Sequence, residues 1–171
     1  NGNFENHISF KDQIRGELSL SENDLDIVIR KSDGLPTYHF AHACDDHFMH
    51  TNNVVRGEEW LPSAPKHIQM FAAFGFEAPK YIHIPLILKK DGDSLRKISK
   101  RKDPEAKMTY YEELGYPTLA VIESLMTIIN SNYEEWHTEN PDKMFTDFCF
   151  SANKMSTSGA LYDLMKLDDI S

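Results

Sequence analysis

Residues 81–88, reading Tyr-Ile-His-Ile-Pro-Leu-Ile-Leu, are the most apolar run in the chain and give way to a turn pair at Asp91-Gly92. The run is far short of the ~18–20 apolar residues that cross a bilayer, and its length and ending suit a strand buried on both faces. Helical patterns precede it. Phe40, Ala43, Cys44, Phe48 and Met49 recur at helical spacing up to Thr51-Asn52-Asn53, and Val54-Val55 then makes a short strand core. Ser63 and Pro65 stand where a helix cap and first turn belong, Ile68, Met70, Phe71 and Phe74 supply the body, and Gly75 is the expected stop. The order helix, strand, helix, strand predicts right-handed crossovers and a parallel α/β sheet.

The flanks differ in character. Leu18 and Leu20, then Leu25, Ile27 and Ile29, alternate with polar residues before Ser32-Asp33-Gly34, which predicts short antiparallel strands. After a basic stretch at 96–102 the pattern is helical: Met108, Tyr111 and Leu114 before Gly115, then Leu119, Ile122, Leu125, Met126 and Ile129, with breaks at Asn130-Ser131-Asn132 and Asn140-Pro141. Composition shifts place boundaries near Gly34 and near the basic stretch. The first residues lack a signal pattern, and the last ones lie on an amphipathic pattern without a stop signal, so both ends read as cut.

A formal charge of -9 over 171 residues argues against binding nucleic acid through bulk positive charge, so any RNA contact must be local. DNA and membranes are not expected partners. Cys44 and Cys149 stand far apart in no metal-type spacing, which suits a reducing, cytoplasmic setting.

Three constellations bear on chemistry. Arg96-Lys97-Ile98-Ser99-Lys100-Arg101-Lys102 follows the buried strand, where a cationic loop can close over phosphates; the plainer alternative is a solvated charge run. Arg56-Gly57-Glu58-Glu59-Trp60 follows Val54-Val55 and offers a guanidinium fork for a carboxylate, a hydrogen-bond acceptor and an aromatic surface; alternatively it is a surface loop with an anchoring Trp. Between residues 38 and 50, four histidines and two aspartates raise a metal hypothesis, since His42 and Asp45 or Asp46 lie one helical turn apart. No His-Glu-x-x-His pattern is present, and His39 and His47 project away from the His42 face, so packing and substrate hydrogen bonds are the expected roles and no metal site is assigned.

Taken in order and spacing, Lys31-Ser32-Asp33-Gly34-Leu35-Pro36-Thr37-Tyr38-His39-Phe40, Asp45-Asp46, Val55-Arg56-Gly57-Glu58-Glu59-Trp60 and Lys97-Ile98-Ser99-Lys100-Arg101 resemble the glutamyl-tRNA synthetase family of bacterial type. The likeness continues through Ser63-Ala64-Pro65-Lys66-His67, His83-Ile84-Pro85-Leu86 and Ser158-Gly159-Ala160-Leu161-Tyr162-Asp163 and covers nearly the whole chain.

The resemblance implies an internal piece of a class I aminoacyl-tRNA synthetase: the second half of a Rossmann-like core with a parallel sheet, then a mainly helical stem-contact domain. Residues 1–34 would be the end of the acceptor-stem insertion and the return strands, 35–95 the second half of the core, and 96–171 the KMSKS-type loop and the start of the stem-contact domain. The HIGH-type motif would lie upstream, so this span alone is expected not to form glutamyl-adenylate. By resemblance, Lys100 and Lys97 supply positive charge to the phosphates; Tyr38, His42 and Arg56 bind glutamate; Glu59 and Trp60 border the nucleoside, with Leu86 and Ile87 against adenine. ATP would bring Mg²⁺ as a substrate complex with no tightly bound cofactor, tRNA would be met at its acceptor stem, and the intact enzyme would be a monomer. Two alternatives stand: a paralogue that glutamylates the queuosine of a tRNA, and a non-catalytic metal- or tRNA-binding module. Ser94-Leu95-Arg96 adds length ahead of the signature loop.

Overall fold

The computed structural model describes residues 2–170, which divide into two compact units between Ile84 and Pro85. In the first, β1 (His7–Asp12) and β2 (Gly16–Ser21) form an antiparallel hairpin, α1 spans Tyr38–Phe48, β3 Asn53–Gly57, α2 Ala64–Phe74 and β4 Lys80–Ile84. The sheet order is β2-β1-β4-β3. β3 and β4 run parallel, from Asn53 opposite Lys80 to Gly57 opposite Ile84, and α2 supplies the long connection that a parallel pair requires. β1 joins β4 in parallel through Asp12 opposite Tyr81. Ala43 from α1 and Met70 and Phe71 from α2 form the buried cluster, with Ile27, Phe40, Phe76 and Ala78 packed against it. Gly75 ends α2 in the left-handed conformation, φ 71°, its N–H donating to the Ala72 and Phe71 carbonyls.

In the second unit, β5 (Ile87–Asp91), β6 (Ser94–Lys97) and β7 (Ala160–Leu161) make a sheet of order β6-β5-β7, and α3 (Met108–Leu114), α4 (Thr118–Ile129), α5 (Tyr133–Glu139) and α6 (Leu164–Ile170) supply the helices. Tyr111, Ala120, Val121, Tyr162 and Leu167 form its core. The Tyr111 hydroxyl donates to the Glu105 carbonyl at 2.7 Å and lies 2.8 Å from that of Tyr162, so two buried phenols satisfy each other. Beside β5, a Cβ on Gly159 would stand 2.4 Å from Leu88 Cδ1 and 3.2 Å from the Leu86 carbonyl oxygen, which explains a glycine where the chain enters the parallel pairing. Among the described residues no helix is long and apolar enough to cross a membrane.

The α/β character, helices α1 and α2, and the helical second half agree with the sequence; three details do not. Residues 81–88 are not one strand. β4 ends at Ile84, and β5 starts at Ile87 in another sheet, because Pro85 has no N–H to continue a ladder. Consequently the basic stretch follows a hairpin strand of a different sheet from β3. Leu25, Ile27 and Ile29 form no strand; among the described residues they meet no partner ladder, and beside them stands an isolated bridge from Arg30 to Pro36, while Thr37 secures the segment by donating its hydroxyl to Val28 O at 2.8 Å and its N–H to Ile29 O at 2.9 Å. Ser63 makes no side-chain cap to α2, since a 3₁₀ turn over Glu58–Ser63 runs into the helix and leaves Ser63 itself helical, φ -90° and ψ -10°.

Phe71, 1% exposed at the centre of the first cluster, is the position most sensitive to truncation. Phe71→Ala is expected to cost about 3–5 kcal/mol of stability, read from the first unit's urea transition. A loss below about 1 kcal/mol would mean that this cluster does not hold the unit together.

Candidate active site

Arg56 lies on β3 with 8% of its surface exposed. A buried guanidinium must find acceptors, and arginine can only donate. Its Nε donates to His83 Nε2 at 3.0 Å and its Nη1 to His67 Nδ1 at 3.0 Å. The same group lies 4.9 Å from the centre of the Tyr81 ring. Nη2 is buried with no hydrogen-bond partner, and among the described residues no carboxylate touches this guanidinium.

These bonds fix the proton on each histidine. His83 accepts at Nε2, so its proton is on Nδ1, which donates to Asp12 Oδ2 at 2.7 Å. Asp12, fully buried, also takes the backbone N–H groups of His83, Ile14 and Arg15. His67 accepts at Nδ1, so its Nε2–H donates to His39 Nδ1 at 2.8 Å. Burial above all, then the charges of neighbours including Arg56, pushes His67 down to about 2. Burial likewise lowers His83 against the opposing pull of Asp12, and lowers His39 with help from Lys66 and Arg56. All three are therefore neutral at pH 7, and the charge at the centre of the cluster is that of Arg56.

His42, on α1, has both ring nitrogens engaged: Nδ1 pairs with Asp46 one turn on, and Nε2 lies 3.1 Å from the Tyr81 hydroxyl. Burial lowers its pKa more than Asp46 raises it. Its ring stacks on that of Tyr38 at 6.0 Å and 7°, and Tyr38 meets Trp60 at 4.4 Å. Tyr38, His42, Arg56 and Trp60 are thus gathered in one unit, with the Glu59 carboxylate lying over Gly57. His47 stacks on Phe76 instead, 3.6 Å between ring centres.

In the second unit, Ile87, Lys97, Ile98, Ser99 and Lys100 line one cavity of about 570 Å³ with Met108, Tyr111 and Tyr162. Lys100 makes no ion pair among the described residues, whereas the backbone of its loop is tightly staked. Arg96 grips Asp103 with two bonds of 2.7 Å and Asp91 with a third. Asp103 in turn accepts the Ser99 N–H at 2.8 Å and returns its own N–H to Ser99 O at 2.8 Å. Lys89 adds a 3.7 Å pair to Asp103 and a hydrogen bond to Glu105. Leu86 does not line the cavity; its carbonyl accepts the Ala160 N–H. Arg101 is exposed, with its N–H on Ser99 Oγ.

Sequence reasoning gave no role to Asp12, His67, His83 or Asp103. Two of them carried a signal. His83 is the single ring nitrogen donor within the most apolar run, and His67 shares the apolar side of α2 with Met70 and Phe71; both are 0% exposed. Asp12, 71 positions from His83, carried none.

Residues 3–168 match the family model described as tRNA synthetases class I (E and Q), catalytic domain. The chain is 56% identical over 170 residues to the glutamate–tRNA ligase of Clostridium beijerinckii and 59% to that of Clostridium perfringens, covering 99% of itself and 31% of either relative. It therefore spans about a third of their length. A solved glutamate tRNA ligase from Elizabethkingia meningosepticum, in complex with its amino acid, superposes with a TM-score of 0.81 at 32% identity over 99% of this chain and 36% of that one.

Asp103 sets an acid sensitivity. The hydrogen bonds from Arg96, with that of the Ser99 N–H and the Arg96 and Lys89 charges, hold its carboxyl well below its usual 3.8 against the opposing effect of burial. A depressed carboxylate stabilises the fold above its unfolded value and loses that contribution as pH falls toward its folded one. Asp103→Asn should lower the thermal midpoint of the second unit at pH 7, and the gap from wild type should begin to narrow as pH falls below about 3.8. A gap that is constant from pH 7 to pH 3 would contradict the charged stake.

Proposed function

We propose a function from one premise: this chain belongs to the tRNA synthetases class I (E and Q), catalytic domain. The chain is part of a glutamate–tRNA ligase, cytoplasmic and monomeric, which activates glutamate with ATP and transfers it to the 3′ end of tRNA. In this assignment residues 1–34 are the end of the acceptor-stem insertion and its return strands, 35–95 the second half of the Rossmann-like core, and 96–171 the signature loop and the start of the stem-contact domain.

The observation that carries the reading is the unpaired Nη2 of Arg56. A buried donor without an acceptor is costly, and a carboxylate is the acceptor that a guanidinium edge fits best. Glutamate supplies one. Tyr38 closes over the ligand beside Trp60, and His42 sustains Tyr38 by stacking while bordering the glutamate site. Glu59 and Trp60 border the nucleoside, and Leu86 and Ile87 face adenine.

An oxygen of the glutamate α-carboxylate attacks the α-phosphorus in line. The new bond is carboxylate O–P, the bond broken joins that phosphorus to the bridging oxygen, and pyrophosphate leaves with the electron pair. A terminal ribose hydroxyl of tRNA then attacks the activated carbonyl, loses its proton and displaces AMP. Side chains do little covalent work here; orientation and neutralisation of negative charge supply the rate. Lys100, in the cavity wall and without an ion-pair partner among the described residues, meets the phosphates, with Lys97 beside it. Mg²⁺ arrives with ATP as part of the substrate.

Two measurements test this in the full-length enzyme, both with saturating tRNA. Arg56→Lys should raise KM for glutamate far more than KM for ATP, because a point charge cannot reproduce a planar two-donor edge; equal effects would count against Arg56 as the glutamate ligand. Lys100→Ala should lower kcat for adenylate formation by about 10²–10³ with KM for ATP within a few fold, while Lys102→Ala is nearly silent. Equal small losses at both lysines, fading as salt rises, would return the loop to a solvated charge run.

A further inference from the structure

We infer that His67 and His83, backed by Asp12, are positioning residues that aim Arg56 at its ligand, each through one particular ring nitrogen. The inference rests on the reading of Arg56 as the glutamate ligand and deepens it.

A guanidinium at the end of four rotatable single bonds has many orientations, and a carboxylate contact of the strong planar kind tolerates few of them. Here two of its three nitrogens are held at 3.0 Å by rings on different elements, Nε by His83 on β4 and Nη1 by His67 on α2. Both rings are fully buried, and His83 is itself held by Asp12, which accepts four N–H groups and cannot turn away without stranding them. The one nitrogen left unpaired is Nη2. Neutral acceptors suit this task better than carboxylates. Aspartates in the same two places would orient Arg56 equally well, but their charge in direct contact with it would oppose the approach of an anionic ligand, whereas neutral imidazoles keep the Asp12 carboxylate one ring away.

The two histidines use opposite nitrogens toward Arg56, and amide side chains mimic those nitrogens separately. An asparagine amide places its oxygen near an Nδ1 position, and a glutamine amide reaches the Nε2 position. At residue 67, where Nδ1 accepts, Asn should therefore serve and Gln should fail. At residue 83, where Nε2 accepts, the order should reverse. A histidine needed only for volume would give the same ranking at both sites.

The experiment is ATP–pyrophosphate exchange by the full-length enzyme at saturating tRNA, with His67→Asn, His67→Gln, His83→Asn, His83→Gln and Arg56→Lys, and thermal midpoints measured alongside. His67→Gln and His83→Asn should raise KM for glutamate roughly tenfold, with kcat and KM for ATP within about threefold; His67→Asn and His83→Gln should stay within about threefold on all three. Should one variant lose its fold, the contrast at the other histidine decides. The same ranking at both sites, or kcat and both KM values moving together, would overturn the positioning role. Arg56→Lys separates the two readings: if it raises KM for glutamate while the amide variants show no crossover, the positioning role alone falls, and if it leaves KM for glutamate unchanged, the ligand assignment falls with it.

Discussion

Burying an arginine charge beside a strand is expensive, and the first unit is arranged around meeting that expense without cancelling the charge. The partners given to Arg56 are lone pairs on neutral rings and the face of Tyr81, so the desolvated cation is solvated by dipoles and a quadrupole. Its attraction for an anion is then retained in a low-dielectric setting, where it counts for more than in water. The geometry needs β3 and β4 in parallel register, since Arg56 stands opposite His83 in that ladder, and it needs α2 packed so that His67 reaches the same guanidinium. Fold and site are one requirement at this point.

The second unit handles charge differently. Its basic loop gathers several cations in sequence, and the structure commits one of them, Arg96, to a buried aspartate whose other hydrogen bond secures the loop backbone at Ser99. Lys97 and Lys100 then line a cavity whose remaining wall is largely apolar, closed by Tyr111 and Tyr162. Arg96, at the end of Ser94-Leu95-Arg96, thus supplies the side chain that anchors the loop.

How much of this was legible in the sequence depended on range. Helix α1, helix α2 with its Gly75 stop, and the helices after 108 rest on local periodicity and local turn chemistry, and they form where the residues put them. Leu25, Ile27 and Ile29 show an equally local alternation, yet alternation makes a strand only where a neighbour offers a ladder, and among the described residues none does. Arg56, Trp60 and the basic loop stood out as local motifs and Tyr38 through family resemblance; in the structure Tyr38 meets Trp60, and Lys97 and Lys100 line one cavity. Asp12 and His83 form their contact across 71 positions through a single parallel pairing, a relation with no local trace. His42 and Asp46 were legible as neighbours one helical turn apart, but the approach of His42 Nε2 to the Tyr81 hydroxyl was not.

Pro85 has a consequence beyond ending a strand. Side chains alternate faces along a strand, so a slip of one residue in the β3–β4 pairing would turn His83 away from Arg56 and bring Ile82 or Ile84 in its place. Were residues 81–91 one continuous ladder, such a slip would be carried into the strand that leads to the basic loop, misplacing Ile87 and Lys97 together. With no amide hydrogen at Pro85 and separate sheets on either side of it, an error of register in one sheet has no hydrogen-bonded route into the other. The proline acts as a firebreak, and each half of the chemistry keeps its own alignment.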